Sequence, residues 1–248
     1  MKYVHYFFAL ILFVIGVVIS TLLCVLPANI IKLFGFKKAS KKIYWAWAPP
    51  LARYALFLLN YRVHIEGLEN LPKDQSNVCY ISNHQSLLDI CVYVGKLKLK
   101  ASPIAKIEVL KAPYVGSFAK GIEAILLDRK SPKSSIKAIL NGTKELKEGK
   151  SVIIFPEGTR SKTGKMGVMK AGSYKMAIRA ESTIVPLVIQ GTRSGFEAKK
   201  GFHKYDVYVK ILPTTSAKNL TKEEQKALPT LVSEQIEEAY KKLPKPKF

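Results

Sequence analysis

The sequence begins with a long segment that carries no formal charge. From residue 3 to residue 31 there is no lysine, arginine, aspartate or glutamate, and Phe, Leu, Ile and Val predominate. A helix of this length is long enough to cross the hydrocarbon core of a bilayer. The segment exceeds the apolar part of a secretion signal and lacks a clear cleavage motif, although a cleaved signal peptide is the alternative. We therefore expect a retained apolar helical extension that binds a membrane.

A second apolar segment follows at residues 43–61. Pro49 and Pro50 are expected to break a membrane-spanning helix, and Arg53 lies in its interior. Aromatic residues that favour the headgroup zone are frequent here: Tyr44, Trp45, Trp47, Tyr54 and Tyr61. This pattern favours a helix in the membrane interface, with a helix packed as ordinary protein core as the alternative. We assign residues 1–60 to an N-terminal membrane anchor and interface motif.

The whole chain is strongly basic. Its 248 residues include 40 lysines and arginines against 18 aspartates and glutamates, a formal net charge of +22. This charge predicts an anionic partner: nucleic acid, an anionic membrane surface or a phosphorylated substrate. The apolar extension favours the membrane surface, and the sequence has no nucleic-acid recognition motif. We expect anionic membrane lipid as a partner and no nucleic acid.

The cysteines and histidines show no pattern typical of a metal site. Cys24, Cys79 and Cys91 are odd in number, far apart and surrounded by apolar residues, which also argues against a disulfide framework. None of the four histidines has a zinc-ligand spacing to cysteine or acidic neighbours. We expect free, buried thiols and no metal.

From residue 61 onward the pattern is that of an α/β domain, which we assign to residues 61–248. Runs rich in β-branched residues predict strands at residues 62–65, 78–82, 122–127, 151–155, 184–189 and 205–212. Their nearly continuous apolar character predicts a largely parallel central sheet flanked by helices.

Two helices have clear start signals. One begins at Ser131 as the N-cap with Pro132 in the first turn. Its expected core-facing stripe is Ile136, Ile139, Leu140, Thr143 and Leu146. The other begins at a capping box of Thr221 and Glu224 and is expected to be interrupted at Pro229. It resumes with a stripe of Val232, Ile236, Tyr240 and Leu243.

The stretch YISNHQSLLDI, residues 80–90, places a histidine and an acid at the end of a predicted strand. The strand is expected to end at Ser82 and a helix to begin near Ser86, so His84 lies in the turn and Asp89 in the first helical turn. A carboxylate that accepts the imidazole N–H fixes the tautomer and leaves the other ring nitrogen as a base. The alternative is that Ser86 and Asp89 form a helix-capping box without a catalytic duty.

A second stretch, SVIIFPEGTRSKTGK at residues 151–165, runs from a buried strand into a polar loop. Pro156 ends the strand and Gly158 permits a sharp turn. Glu157, Thr159 and Arg160 are then displayed at the carboxyl end of a parallel strand, where open α/β sheets form their ligand crevice. The bidentate fork of arginine suits a phosphate, and the alternative is a weak surface pair of Glu157 with Arg160.

Together these stretches resemble the glycerolipid (lysophospholipid) acyltransferase family. NHQSLLD matches the family's Asn-His-four residues-Asp motif, and FPEGTRS matches its Phe-Pro-Glu-Gly-Thr-Arg-Ser motif residue for residue. GIEAILLDR is similar to the Gly-x-x-x-Ile-x-Arg block, and VPLVI to the Val-Pro-x-x block. The resemblance covers roughly residues 78–190, and it is looser in the block that ends at Arg129.

The resemblance implies transfer of a fatty acyl group to the free 2-hydroxyl of lysophosphatidic acid. The acyl donor is a thioester of coenzyme A or of acyl carrier protein, and no cofactor is expected. His84 is the implied general base and Asp89 its orienting acid. The implied substrate-binding residues are Asn83, Lys106, Arg129, Glu157, Gly158, Thr159, Arg160 and Lys170. Among them the arginines and lysines hold the phosphate.

The implied location is the cytoplasmic face of the inner membrane, where the acyl donor and the lipid acceptor meet. Three other functions stay open at this point. They are acylation of glycerol-3-phosphate or another lysophospholipid, hydrolysis of the acyl thioester, and non-catalytic lipid carriage.

Overall fold

The computed structural model describes residues 2–195, 197–198 and 203–246, with side chains from residue 7 onward. The N-terminal part is helical. α1, Lys2–Ser20, continues through a π-helical turn, Thr21–Val25, into α2, Leu26–Leu33, and α3 covers Lys37–Leu58. Within the described residues, one helical segment, Phe7–Leu33, is long and apolar enough to cross a membrane.

The rest of the chain forms the predicted α/β domain. Its strands are β1 Tyr61–Glu66, β2 Val78–Ser82, β3 Ala101–Lys106, β4 Ile125–Leu127, β5 Ser151–Ile154, β6 Thr183–Gln190, β7 Tyr205–Ile211 and β8 Thr215–Ser216. Its helices are α4 Leu88–Gly95, α5 Pro113–Gly121, α6 Pro132–Lys147, α7 Lys175–Arg179 and α8 Lys222–Lys242. Five predicted strands, β1, β2, β5, β6 and β7, are confirmed to within one residue at each end.

The strands form one largely parallel sheet. Their order is β1-β7-β6-β2-β5-β3-β4, with β8 paired to β6. β2 to β6 run in one direction, whereas β7 is antiparallel to β6 and β1 is parallel to β7. The carboxyl ends of β2 to β6 and the first residues of β1 and β7 therefore lie at one edge, which we call the upper edge of the sheet.

Helices cover both faces of this sheet. On one face α6, α7 and α8 supply a core that includes Met176 and Ile236. On the other face α3 and α4 supply Leu56, Val92 and Tyr93. This arrangement confirms the predicted central sheet flanked by helices.

Helix α3 runs without a break through Pro49 and Pro50 and packs against α4. A Cβ atom on Gly95 of α4 would lie 3.0 Å from Cβ of Ala52 and 3.1 Å from the backbone N of Arg53. Leu56 is buried in the core under the sheet. The packed-core alternative therefore holds for the C-terminal half of α3. This half, which the sequence analysis assigned to the N-terminal motif at residues 1–60, packs against the α/β domain at residues 61–248.

Two strand predictions need correction. The strand predicted at 122–127 is confined to β4, because Gly121 ends α5 and Glu123 turns the chain with a positive φ of 58°. Strand β3 was not predicted, and Pro103 lies in its middle. Proline lacks a ladder donor, but pairing with β5 ends at Pro103 and pairing with β4 begins at Ile104.

Two helix predictions also need correction. α8 is continuous through Pro229, which is buried with Val232 and Ile236, so packing against the sheet compensates for the lost backbone bond. In α6, Ile136 and Leu140 of the predicted stripe are exposed. The helix turns a face of small residues and one leucine toward the sheet instead: Ala138, Gly142 and Leu146. The N-cap at Ser131 and the capping box at Thr221 are confirmed.

Candidate active site

His84 follows the end of β2, and its imidazole is held on two sides. Nδ1 lies 2.8 Å from Oδ2 of Asp89. The ring stacks on that of Phe155, with centroids 4.0 Å apart and an interplanar angle of 21°. The His84 side chain is 11% exposed and that of Asp89 is fully buried. With Nδ1 paired to a carboxylate, Nε2 is the nitrogen left to take a proton from a bound hydroxyl.

Asp89 combines the two roles that the sequence left open. Besides pairing with His84, Oδ2 accepts hydrogen bonds from the backbone N–H groups of Gln85 at 2.7 Å and Ser86 at 3.0 Å. Oδ1 accepts one from the hydroxyl of Thr192 at 2.5 Å. The carboxylate thus caps the turn before α4 and orients the imidazole with the same oxygen.

The residues on either side of His84 fasten its loop to β6. The amide of Asn83 donates to the carbonyl of Ile189 and accepts from its N–H, both at 2.8 Å. Gln85 accepts from the N–H of Gly191 at 2.8 Å and donates to Tyr240 on α8 at 2.9 Å. Asn83 is fully buried and positions this loop, and its contact with a substrate stays a prediction.

Glu157 lies beneath the site. Its Oε1 accepts from the backbone N–H of His84 at 2.7 Å, and its Oε2 accepts from that of Gly167 at 2.6 Å. Burial raises the pKa of this carboxyl, and the two backbone hydrogen bonds oppose that shift. Glu157 therefore positions the backbone of His84, and its contact with a substrate stays a prediction. The alternative surface pair of Glu157 with Arg160 is wrong, because Glu157 is buried and Arg160 pairs with Glu197.

Three of the predicted basic residues gather at the upper edge. Burial lowers the pKa of Arg129, and the positive charge of nearby Arg160 lowers it further. Glu108 acts on Arg129 in the opposite direction and pairs with Lys106 at 2.8 Å. Arg129 is thus within electrostatic range of Arg160 and of Glu108, the partner of Lys106. Binding of a phosphate by this group of cations stays a prediction.

The loop after β5 brings Lys170 over Gly158. Gly158 has a positive φ of 70°, and a Cβ atom there would lie 3.1 Å from Nζ of Lys170. Thr159 is exposed in the same loop. The backbone conformation thus favours glycine at 158. Contacts of Gly158, Thr159 and Lys170 with a substrate stay predictions.

Several contacts in the site could not be read from the two motifs. Phe155 stacks on His84, and Thr192 bonds to Asp89. Glu197 accepts from the hydroxyl of Ser86 at 2.6 Å and from Nη1 of Arg160 at 3.1 Å. Thr192 and Glu197 are more than 100 residues from their partners in the first motif, and no local pattern marks them.

The cysteines are poorly suited to act as nucleophiles. Burial raises the pKa of Cys79 to about 12 and that of Cys91 to about 11, so both stay protonated near neutral pH. Among the described residues, no group of three or more His, Cys, Asp or Glu side chains is placed to hold a metal ion.

A buried His–Asp pair beside a cationic cluster is suited to activating a hydroxyl group close to an anion. The family model described as Acyltransferase matches residues 62–190, which is more than half of the chain. The chain therefore belongs to this acyltransferase family, as the resemblance in its motifs predicted.

Particular relatives narrow the comparison. The 1-acyl-sn-glycerol-3-phosphate acyltransferase of Borreliella burgdorferi is 30% identical over 185 residues, 74% of each chain. The chloroplastic 1-acyl-sn-glycerol-3-phosphate acyltransferase of Arabidopsis thaliana is 37% identical over 132 residues, 53% of this chain and 37% of that relative. This chain thus spans little more than a third of the length of the plant protein.

A solved structure shares the whole fold. The crystal structure of the 1-acyl-sn-glycerophosphate (LPA) acyltransferase PlsC from Thermotoga maritima superimposes with a TM-score of 0.74 at 27% identity, covering 96% of both chains. The apolar N-terminal helices and the α/β domain thus occur together in a solved relative.

Proposed function

We propose that the protein acylates the 2-hydroxyl of 1-acyl-sn-glycerol-3-phosphate, with an acyl thioester as donor. The observation that carries this proposal is the 2.8 Å pair of His84 and buried Asp89 beside the cluster of Arg160, Arg129 and Lys106. The pair supplies a base for the hydroxyl, and the cluster supplies a counter-charge for the phosphate of the same acceptor. The names of the relatives agree with this substrate.

The proposed chemistry needs no protein nucleophile. Nε2 of His84 takes the hydroxyl proton as the acceptor oxygen attacks the thioester carbonyl, and Asp89 stabilises the imidazolium that forms. The tetrahedral intermediate then expels the thiolate, which receives that proton from Nε2. The products are phosphatidic acid and the free thiol of coenzyme A or acyl carrier protein. Because both substrates react in one complex, we expect sequential kinetics.

We further propose that the reaction takes place at the cytoplasmic surface of the inner membrane. The apolar segment Phe7–Leu33 supports attachment to lipid, and the net charge of +22 supports an anionic leaflet. Both lipid substrate and lipid product reside in the membrane, so a site at its surface avoids extracting them.

An acceptor panel with the purified full-length protein tests this function. Lysophosphatidic acid, glycerol-3-phosphate, a lysophosphatidylcholine and no acceptor are each incubated with acyl-CoA and with acyl carrier protein thioester. We expect acyl transfer to lysophosphatidic acid to dominate and to fall at least about a hundredfold with His84→Ala. A preference for glycerol-3-phosphate, or thioester turnover that is equally fast without acceptor, would overturn the assignment.

A further inference from the structure

The carboxylate of Glu197 is bound by three donors from two loops of the site. Oε2 accepts from the hydroxyl of Ser86 at 2.6 Å, and Oε1 accepts from the backbone N–H of Leu87 at 2.9 Å. Nη1 of Arg160 lies 3.1 Å from Oε1. The Glu197 side chain is 19% exposed, and that of Arg160 is 43% exposed. An anionic group is therefore already seated on the arginine that is expected to bind the acceptor phosphate.

We propose that Glu197 is a specificity-determining residue that competes with the acceptor phosphate for Arg160. This inference rests on the proposed function, because it concerns which acceptors gain access to the same site. In the substrate-free protein the carboxylate neutralises Arg160. In the complex with the acceptor, a phosphate monoester binds the guanidinium of Arg160 in place of Glu197. Glu197 keeps its hydrogen bonds to Ser86 and Leu87.

The location makes the competition direct. Arg160 precedes Ser161, whose backbone N–H donates to the carbonyl of His84 at 2.9 Å. Ser86 and Leu87 follow His84 by two and three positions. An acceptor whose hydroxyl approaches His84 thus brings its phosphate into the surroundings of this carboxylate.

The charges decide which acceptors succeed. A half-exposed ion pair is weak because water screens it, so a stronger anion can replace one partner. A phosphate monoester carries nearly two negative charges and offers several oxygens to the arginine fork. A zwitterionic phosphodiester carries one negative charge and an ammonium, and it gains less from displacing Glu197. Because only the monoester takes Arg160 from Glu197, the carboxylate lowers the affinity for this acceptor most, and its removal should strengthen binding of the monoester more than that of the phosphodiester.

Inorganic phosphate tests the competition without any acyl transfer. Its dissociation constant is measured by calorimetry for the full-length wild type, Glu197→Gln, Arg160→Ala and the double variant. We expect Glu197→Gln to bind phosphate at least threefold more tightly, and we expect this gain to disappear in the Arg160→Ala background. Glu69→Gln is the matched control. Glu69 follows the end of β1 at the opposite edge of the sheet, so this substitution removes the same charge far from the site.

Acceptor kinetics supply the second measurement. In neutral detergent micelles, Glu197→Gln should lower the KM for lysophosphatidic acid more than that for lysophosphatidylcholine, with the KM for the acyl donor unchanged. A repeat on anionic vesicles separates binding of the acceptor phosphate from attraction to lipid headgroups, because only the latter raises affinity for the surface irrespective of acceptor. Glu197→Asp moves the charge back by one methylene and should give KM values between those of the wild type and Glu197→Gln. This second variant keeps the proposal testable if Glu197→Gln does not fold.

Phosphate affinity that is unchanged or weaker in both Glu197 variants overturns the proposal, as does a gain that persists without Arg160. If the acceptor panel instead identifies a different acceptor while phosphate still binds more tightly to Glu197→Gln, the proposed function fails and the competition stands.

Discussion

At the scale of single residues, the carboxylate of Asp89 collects most of the hydrogen bonds that define the site. Four donors converge on it: Nδ1 of His84, the N–H groups of Gln85 and Ser86, and the hydroxyl of Thr192. A buried charge of this kind is tolerated because donors surround it. The orientation of the imidazole and the shape of the turn before α4 therefore depend on the same group.

Replacing the base tests the chemistry. His84→Ala is expected to lower the acyl-transfer rate at least about a hundredfold, the low end for loss of a general base. The melting temperature should change little, because the carboxylate of Asp89 keeps its three other donors. Rate and melting temperature are measured on the same preparation. Turnover close to that of the wild type would exclude His84 as the base.

Replacing the acid separates its two roles. Asp89→Asn is expected to lower the rate at least about a hundredfold, because the amide holds the imidazole in the wrong tautomer. It should also lower the free energy of unfolding by about 1–3 kcal/mol, because an amide cannot accept from all of the donors. Urea unfolding and single-turnover rates measure the two effects.

The chain contains a matched control for this substitution. Asp206 pairs with Nε2 of His64 at 2.7 Å, but both side chains are more than a third exposed. Asp206→Asn is expected to leave the rate unchanged and to alter stability by less than about 1 kcal/mol. A rate loss at Asp89 without a stability loss would show that the capping bonds contribute little.

At the scale of elements, the two loops of the site were predictable because each is a short local pattern. A strand end, a turn and a helix start place His84 within five residues of Asp89. Gln85 is part of the first motif, but its partners Gly191, directly after β6, and Tyr240, on α8, are more than 100 residues away. Periodicity within one element carries no information about such partners.

The errors in α6 and β3 have equally local causes. Large apolar residues dominate a hydrophobic pattern, yet α6 approaches the sheet through Ala138 and Gly142, whose small side chains permit close packing. At Gly142 an added Cβ atom would lie 2.8 Å from the sulfur of Met176. In β3, Pro103 argues against a strand, and only the change of partner from β5 to β4 explains why it is tolerated.

The contact between α3 and α4 can be tested by overpacking. Gly95→Val forces a branched side chain against Ala52 and the backbone at Arg53, and such overpacking typically costs about 1–3 kcal/mol. We expect a lower melting temperature together with a lower rate, because α4 carries Asp89. Gly172→Val is the control, since an added Cβ atom there meets no atom within 4 Å. Equal losses in both variants would show that α3 does not support α4.

At the scale of the whole molecule, two forces favour the membrane, and salt distinguishes them. Each lysine or arginine near an anionic leaflet contributes about 1 kcal/mol, and this attraction is screened by salt. Insertion of apolar helices is not screened. Large apolar side chains on α1 are exposed, among them Leu10 at 61% and Val14 at 51%. The apolar contribution should therefore persist when the electrostatic one is removed.

Membranes that contain the full-length protein are washed with high salt and then with carbonate. We expect the protein to stay in the pellet. Leu10→Arg combined with Val14→Arg should release it, because each arginine costs about 2.5–3.5 kcal/mol at a helix centre in the membrane. Leu231→Arg is the control on α8, where Leu231 is 54% exposed. Release of the wild type by salt alone would contradict insertion of α1.

The opposite direction of β1 and β7 in the sheet ties the site to the N-terminal helices. β1 begins at the upper edge directly after α3, and the hydroxyl of its first residue, Tyr61, donates to the carbonyl of Thr192 at 2.9 Å. Thr192 in turn bonds to Asp89, and Asp89 to His84. In the proposed orientation, the depth at which α1 to α3 insert thus fixes the distance between the imidazole of His84 and the lipid surface. A thicker or thinner bilayer would then present the acceptor hydroxyl at a different height, so we expect the rate of acyl transfer to depend on the acyl-chain length of the surrounding lipids.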